Sequence, residues 1–409
     1  MNLERALGRL ADILPENAIG SLEREGAAAV PRAAPETVAQ AAEVLRLAAA
    51  ERWKVLPLGT GTKLGWACTP QVDLVLASTR LTGIVAYEPA DGTLTARAGT
   101  PWNELVAAVE EKHHLSPELP RAGAGTFGGV VSAGASGFDR LHFGPLRHQL
   151  LGLTALAADA SLVKSGGRVV KNVTGYDLHR LWCGAHGTLC FLVEGTLRLY
   201  PAPTFTAALR AIFPSRAEGL KHAHALVRAR LQPLAAVLRA RSDKSHALTL
   251  VFAGRGEAVR DQLAAAENLI GAAERLEGPP AEAERRALAE LERQENGWVA
   301  LTLAAPPSRL GTLLDTLESA LRALALEAEL VVHPLLARVL VRFTTPPARE
   351  ARLALERALG AHERAWRDLG PGFRPTLAAS PAALELMRRL KNSLDPRGVF
   401  AAGRLYDDV

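Results

Sequence analysis

Leu3, Leu7, Leu10 and Leu14 stand at alternating steps of four and three, the spacing that puts apolar side chains on one face of a helix. A second helix is expected from Pro35, a favoured first-turn residue, to about Ala50, with Val38, Ala42, Leu45 and Ala49 inward. The period then shortens. Residues 54–58 form a brief apolar run ending in the glycine-rich turn 59–65, and residues 72–77 form another run of strand length. Residues 84–87 and 93–98 bracket Asp91-Gly92 as a hairpin would, and residues 101–112 return to a helical pattern. From Pro120 to Gly144 glycine is frequent and periodicity fades, which predicts irregular backbone built for close approach. Long strands are expected at 150–158 and 189–199, before Pro201 and Pro203.

The second half carries a doubled pattern. Strand, helix, strand, strand and helix are expected over 206–270, and the same order returns over 298–358 after an acidic stretch near 281–295. Two split βαβ-like halves sharing one antiparallel sheet follow from this. The expected organisation is an N-terminal helical segment (1–30), a first domain (31–203), a cap (204–385) and a tail (386–409) that returns to the first domain.

Composition narrows the function classes. The 409 residues are 48% hydrophobic with a net charge of +5, which excludes extensive disorder. No run of about 18 apolar residues occurs, so no membrane span is expected, and Met1 to Arg5 does not open like a secretory signal. Three cysteines without a CxxC pair argue against a disulfide framework, a structural zinc or a cysteine-ligated cluster. No metal site is expected, and the chain reads as cytoplasmic, at most peripheral to a membrane through partners. Of the 48 basic residues, 40 are Arg scattered among 43 acids, and aromatics are 5%, so nucleic acid is not an expected partner.

Three segments could carry chemistry. Leu58, Gly59, Thr60, Gly61, Thr62 and Lys63 follow a strand, and glycines there free backbone N–H groups to converge on an anion; an ordinary strand-to-loop turn would look the same. Gly123-Ala-Gly125-Thr-Phe-Gly128 spells GxGxxG, but a dinucleotide fingerprint must follow a strand and open a helix. Ser116-Pro-Glu-Leu-Pro120 is a poor central strand, and the further glycines disfavour a helix, so the segment reads as a second glycine wall for an elongated ligand. Third, Lys171, Asn172, Tyr176 and Asp177 crowd one loop, and residues 140–180 hold six Lys and Arg against two acids, an excess of four that suits an anionic ligand.

These walls, with Ala98-Gly-Thr-Pro-Trp-Asn-Glu-Leu105, Val170-Lys-Asn-Val-Thr-Gly-Tyr-Asp-Leu178, Gly187-Thr-Leu189 and Asp395-Pro-Arg-Gly-Val-Phe-Ala-Ala-Gly-Arg404, resemble the FAD-binding oxidases of the vanillyl-alcohol-oxidase or PCMH type. Within them, the run KNVTGYDL is similar to the FAD-binding subunit of bacterial glycolate oxidase. The resemblance implies an α+β fold: a PCMH-type FAD-binding domain of two α/β subdomains, plus a ferredoxin-like cap of repeated βαββα units with an antiparallel sheet. It implies a diphosphate on residues 58–63, a wall of Pro120, Thr126, Gly128, Gly129, Ser132, Ser136 and Gly137, main chain near Val193 beside the adenine, and further contacts from Lys171, Asn172, Gly187 and Arg404. The diphosphate loop offers no His for a covalent link, so FAD is expected to be noncovalent.

The implied activity is oxidation of a small 2-hydroxy acid such as glycolate or D-lactate, with electrons passed to a second flavoprotein and an iron–sulfur subunit. Such chemistry needs a cation for the carboxylate and a base for the hydroxyl proton. Lys171, Tyr176, His333 and Arg147 are the expected catalytic residues, with Arg140, His142, Arg338 and Arg342 as further candidates. Two departures stand out: the tail has Ala401-Ala402-Gly403-Arg404 where an Asn is usual, and the cap lacks the histidine cluster HxGxGNxH. The missing histidines favour a subunit working beside partners, and a self-sufficient dehydrogenase and a noncatalytic FAD-bound electron relay are the alternatives.

Overall fold

The computed structural model describes residues 3–24, 27–68, 70–120, 125–168, 175–241, 243–291, 299–360, 362–367 and 380–406. Helix α1 (Leu3–Ala11) is followed by strands β1 (Ile19–Arg24) and β2 (Ala27–Ala33), a hairpin that the leucine spacing does not disclose. Helix α2 (Val38–Ala50) starts after Thr37 rather than at Pro35, because Thr37 and Gln40 close a capping box. Strands β3 (Val55–Leu58) and β4 (Leu74–Ala77) then pair in parallel, giving a four-stranded sheet of order β1-β2-β4-β3. Leu10, Leu45, Val55, Leu74 and Leu76 are fully buried beneath it, as the helical and strand patterns require.

The next subdomain comprises β5 (Ile84–Glu88), β6 (Thr93–Arg97), α3 (Trp102–Val109), β7 (His113–His114), α4 (Phe127–Ala133), α5 (Arg140–Phe143), β8 (Leu150–Leu156), β9 (Leu162–Gly166), α6 (Leu178–Trp182), β10 (Phe191–Arg198) and β11 (Tyr200–Pro201). Its antiparallel sheet runs β5-β6-β10-β8-β9, and Trp102, Phe127 and Leu153 fill its core. The expectation that glycine excludes a helix between residues 120 and 144 is wrong. Thr126 caps α4 and Gly134 ends it at φ 58°, so Gly128 and Gly129 sit inside a short helix. Bonds from Trp102 N to Gly125 O, Phe127 N to Thr100 O and Gly128 N to Ala98 O, all 2.7–2.9 Å, tie that helix to the end of β6 and outweigh the poor local propensity.

The cap comprises β12 (Phe205–Phe213), α7 (Arg216–Arg228), β13 (Ala235–Ala240), β14 (His246–Gly254), α8 (Gly256–Ile270), β15 (Glu274–Glu277), α9 (Pro279–Glu290), β16 (Val299–Ala304), α10 (Leu310–Ala323), β17 (Glu329–His333), β18 (Arg338–Phe343), α11 (Arg349–Leu359) and β19 (Glu363–Arg367). The doubled pattern is real: both halves contribute to one eight-stranded sheet of order β15-β12-β14-β13-β17-β18-β16-β19. Three elements are additions. The acidic stretch holds α9, and β15 and β19 form the sheet's two edges. Alternate residues separate the faces. Val332, Val339, Val341 and Trp366 pack with the helices on the outer face, whereas Val331, Leu340 and Ala300 pack with α9 and with Phe138 of the first domain.

Helix α12 (Pro381–Leu394) precedes the tail, where Val55 N donates to Val399 O and Ala401 N to Val55 O. Expected boundaries at 30/31 and 385/386 fall within β2 and α12. No helix among the described residues is long and apolar enough to cross a membrane, and no group of three His, Cys, Asp or Glu among them could hold a metal ion.

Candidate cofactor site

Strand β3 delivers the chain to the loop Gly59–Lys63, and this loop meets the entry to α4 at very short range. A Cβ on Gly59 would lie 2.2 Å from Thr126 Oγ1, and one on Gly125 would lie 2.5 Å from Thr62 Oγ1. Gly125 also holds φ 84°, and Gly61 φ 83°, in the left-handed region that side chains avoid. Contact between the two walls is therefore possible only with bare backbone at Gly59 and Gly125.

Between them runs a narrow groove open to solvent, lined by Leu58, Gly59, Thr60, Gly61, Thr62, Lys63, Thr126, Gly129, Ser132 and Arg404 among the expected residues. Pro57, Leu64, Ala133 and His186 complete the lining. His186 was not expected here. Its N–H donates to Ser132 O (2.8 Å) and Gly184 N to Val131 O (3.0 Å), so the turn after α6 is strapped to the back of α4.

Arg404 reaches the groove from the other end of the chain. Its Nη1 donates to Cys68 O at 2.7 Å, while its Nε is buried with no protein partner. The tail is fixed by a buried pair: Lys391 Nζ donates to Asp395 Oδ2 (2.6 Å), Thr188 O (2.7 Å) and Phe400 O (2.7 Å), and Asp395 accepts from the N–H groups of Val399 and Phe400.

The electrostatics favour an anion. Burial, then the nearby charge of Arg367, lowers the Lys63 ammonium to about 8. Burial lowers His186 to about 3, helped by the charges of Arg404 and Arg367, so this imidazole is neutral at pH 7. Burial lowers Arg404 to about 10. None of the described residues lining the groove is acidic. Bare glycine backbone, the hydroxyls of Thr60, Thr62 and Thr126 and two cations suit a diphosphate.

Other expected residues are placed elsewhere. Gly128 packs on Ala98, Gly187 on Pro57, and Gly137 against the carbonyl of Glu118. Ser136 and Pro120 are half-buried but do not line the groove. Val193 lies in the core with its carbonyl accepting from Ala98 N. Lys171 and Asn172 lie outside the described residues. The structure does not bring Tyr176 or Arg147 to the groove: Tyr176 is 90% exposed and Arg147 is exposed on a short turn.

His333 is different. It is 3% exposed on β17, directly opposite Arg338 on β18. The alternation set by Val331 and Leu340 puts His333, Arg338 and Arg342 on the sheet face toward the first domain. There Glu329 bridges Arg342 (3.1 Å) and Arg239 (2.5 Å).

Residues 31–166 match the sequence model of the FAD binding domain family, and residues 376–405 that of the C-terminal domain of FAD linked oxidases. Curated relatives include the glycolate oxidase subunit GlcD of Bacillus subtilis (30% identical over 44% of this chain and 39% of the relative). Others are the glycolate oxidase subunit GlcE of Escherichia coli (38% over 31% and 37%) and a D-lactate dehydrogenase of Archaeoglobus fulgidus (27% over 52% and 50%). The matched segments thus span half or less of these relatives' length. Among solved structures, alkyldihydroxyacetonephosphate synthase superposes with a TM-score of 0.76 at 12% identity, over 98% of this chain and 86% of that one. p-Cresol methylhydroxylase superposes with a TM-score of 0.76 at 15% identity, over 99% and 97%. The fold is the α+β PCMH-type FAD-binding fold, and FAD is the cofactor.

Proposed function

We propose that this chain is the FAD-carrying subunit of an oxidoreductase that dehydrogenates a small 2-hydroxy acid such as glycolate or D-lactate and passes the electrons to a partner. The observation that carries the reading is the cross-strand pair of His333 and Arg338, on the cap face turned toward the FAD-binding domain.

Bound FAD supplies a two-electron acceptor for the hydrogen on the hydroxyl-bearing carbon. The Gly59–Lys63 backbone, Lys63 and Arg404 would hold its diphosphate, with Thr126 and Ser132 on the opposite wall. Arg338 and Arg342 orient the substrate carboxylate, for which a guanidinium fork is the best-matched partner. His333 accepts the hydroxyl proton at a ring nitrogen. Three cysteines are too few for a four-cysteine cluster, and Cys68, Cys183 and Cys190 are all buried and free. Electrons therefore leave to another protein or acceptor, for which a second flavoprotein and an iron–sulfur subunit are the proposed partners. Attachment of FAD is noncovalent in this reading: acid precipitation should leave the yellow colour in the supernatant.

The test is anaerobic titration of the yellow protein with glycolate and with D-lactate, alone and with the partner subunits. Bleaching with partners present, abolished by His333→Asn and weakened at least about tenfold in substrate affinity by Arg338→Met, is the expected result. Full bleaching by the isolated chain would favour a self-sufficient dehydrogenase. No bleaching in either state would leave an electron relay.

A further inference from the structure

The turn between α6 and β10 touches all three walls of the cofactor groove. On the α4 side, His186 N donates to Ser132 O at 2.8 Å. On the β3 side, a Cβ on Gly187 would stand 3.2 Å from the ring of Pro57. On the side of the tail that carries Arg404, Thr188 O accepts from Lys391 Nζ at 2.7 Å. Pro57, Ser132, Arg404 and His186 itself line the groove. The backbone of His186 is thus pinned, and it is pinned at φ 50°, inside the left-handed region. Glycine takes that conformation without cost, as Gly184 and Gly187 do beside it at φ 85° and 77°. A residue with a side chain nevertheless stands at 186. Its imidazole is half-buried and makes no hydrogen bond among the described residues.

From this placement we infer that His186 is a cofactor-binding residue whose imidazole donates a ring N–H to the FAD diphosphate. The inference rests on FAD as the ligand of the groove. Burial, then the charges of Arg404 and Arg367, lower the imidazole to about 3, so at pH 7 it is neutral and one ring nitrogen carries a proton. A third cation beside Lys63 and Arg404 would add like-charge repulsion. A neutral donor supplies a hydrogen bond to a phosphate oxygen without it. Histidine is also among the few side chains that tolerate a left-handed backbone, and residues held in that region gather at ligand sites. A turn that only had to join α6 to β10 would be better served by a third glycine.

The experiment measures FAD binding to the apo-protein by quenching of flavin fluorescence, together with thermal unfolding of the apo-protein alone, with ADP and with adenosine. His186→Gly relieves the backbone and removes the ring. Its apo-protein should unfold no earlier than wild type, bind FAD about five- to tenfold more weakly, and lose protection by ADP while keeping that by adenosine. The slope of FAD affinity against salt should stay that of wild type, because the lost group is neutral. His186→Asn accepts the same backbone and keeps an N–H donor, so it should recover part of the loss. In the wild-type protein, ADP should shift the one histidine ring-nitrogen resonance that is missing from His186→Asn, and adenosine should leave it in place. FAD affinity within about twofold of wild type in His186→Gly, equal losses for ADP and adenosine, or a ring resonance unmoved by ADP would overturn the inference while leaving the cofactor assignment intact. A destabilised His186→Gly apo-protein would make the ring a packing group and overturn it likewise. Failure of the wild-type apo-protein to bind FAD would instead remove the assignment, and the inference with it.

Discussion

Lys63 titrates close to the physiological range, and that makes the groove testable by pH. Its ammonium is lowered to about 8 by burial and by Arg367. A bound diphosphate favours the charged form and raises the value again, so FAD binding takes up a proton wherever the apo-protein has lost one. FAD affinity should fall as pH rises above about 8, and Lys63→Met should bind more weakly below that pH and lose this dependence. Dissociation constants measured from pH 7 to 10 for both proteins check this. Gly59 gives a steric test. Gly59→Ala places a methyl where Thr126 Oγ1 stands, 2.2 Å away, and should weaken FAD more than about tenfold (1.4 kcal/mol). Adding Thr126→Gly should restore part of that affinity. The glycine loop was legible from sequence because its residues are contiguous. His186 was not, because its place depends on a bond to Ser132, more than fifty residues away in sequence.

At the scale of elements, the tail is the most exposed to a single change. Lys391 is 4% exposed and is shared by Asp395, Thr188 and Phe400. Lys391→Met leaves the Asp395 carboxylate buried without its counter-charge, a loss of about 3–5 kcal/mol. Urea unfolding should record it, and FAD affinity should fall with it, since the same tail carries Arg404 into the groove. Helix α4 and helix α9 mark the limits of pattern reading. The first is held by its cap and by β6 despite two internal glycines. The second buries only Ala281, Leu288 and Ala289, with one large apolar side chain among them, a weak signal in an acidic stretch. Edge strands β15 and β19 are short, with too few alternations to stand out from loops.

The whole molecule is joined across a polar seam as well as through the apolar Phe138 contact. Arg285 of α9 meets Glu118 of the first domain at 2.6 Å, and Glu118 N donates to Asp139 Oδ2 at 3.0 Å. Burial outweighs the pull of Arg285 and raises Glu118 to about 7. The folded protein therefore holds a proton that the unfolded chain releases near pH 4.5. Between about pH 4.5 and 7 this group makes stability fall as pH rises. Glu118→Gln cannot titrate and should flatten that slope; melting temperatures at half-unit steps across the window measure it. A slope unchanged in the variant would assign the pH dependence to other groups.

Sequence by itself determined the local framework: the loop with bare amides after β3, the doubled βαββα cap and the shortage of cysteines. These are properties of residue type at short spacing, where backbone preference and apolar period act directly. Only the tertiary structure decided that Lys63, His186 and Arg404 share one groove, that His333 faces Arg338, and that Tyr176 and Arg147 stand apart. Each of those facts depends on strand register or on long-range hydrogen bonds. A shift of one residue in register turns a side chain to the opposite face of the sheet, and nothing in the local pattern of residues fixes which strands become neighbours.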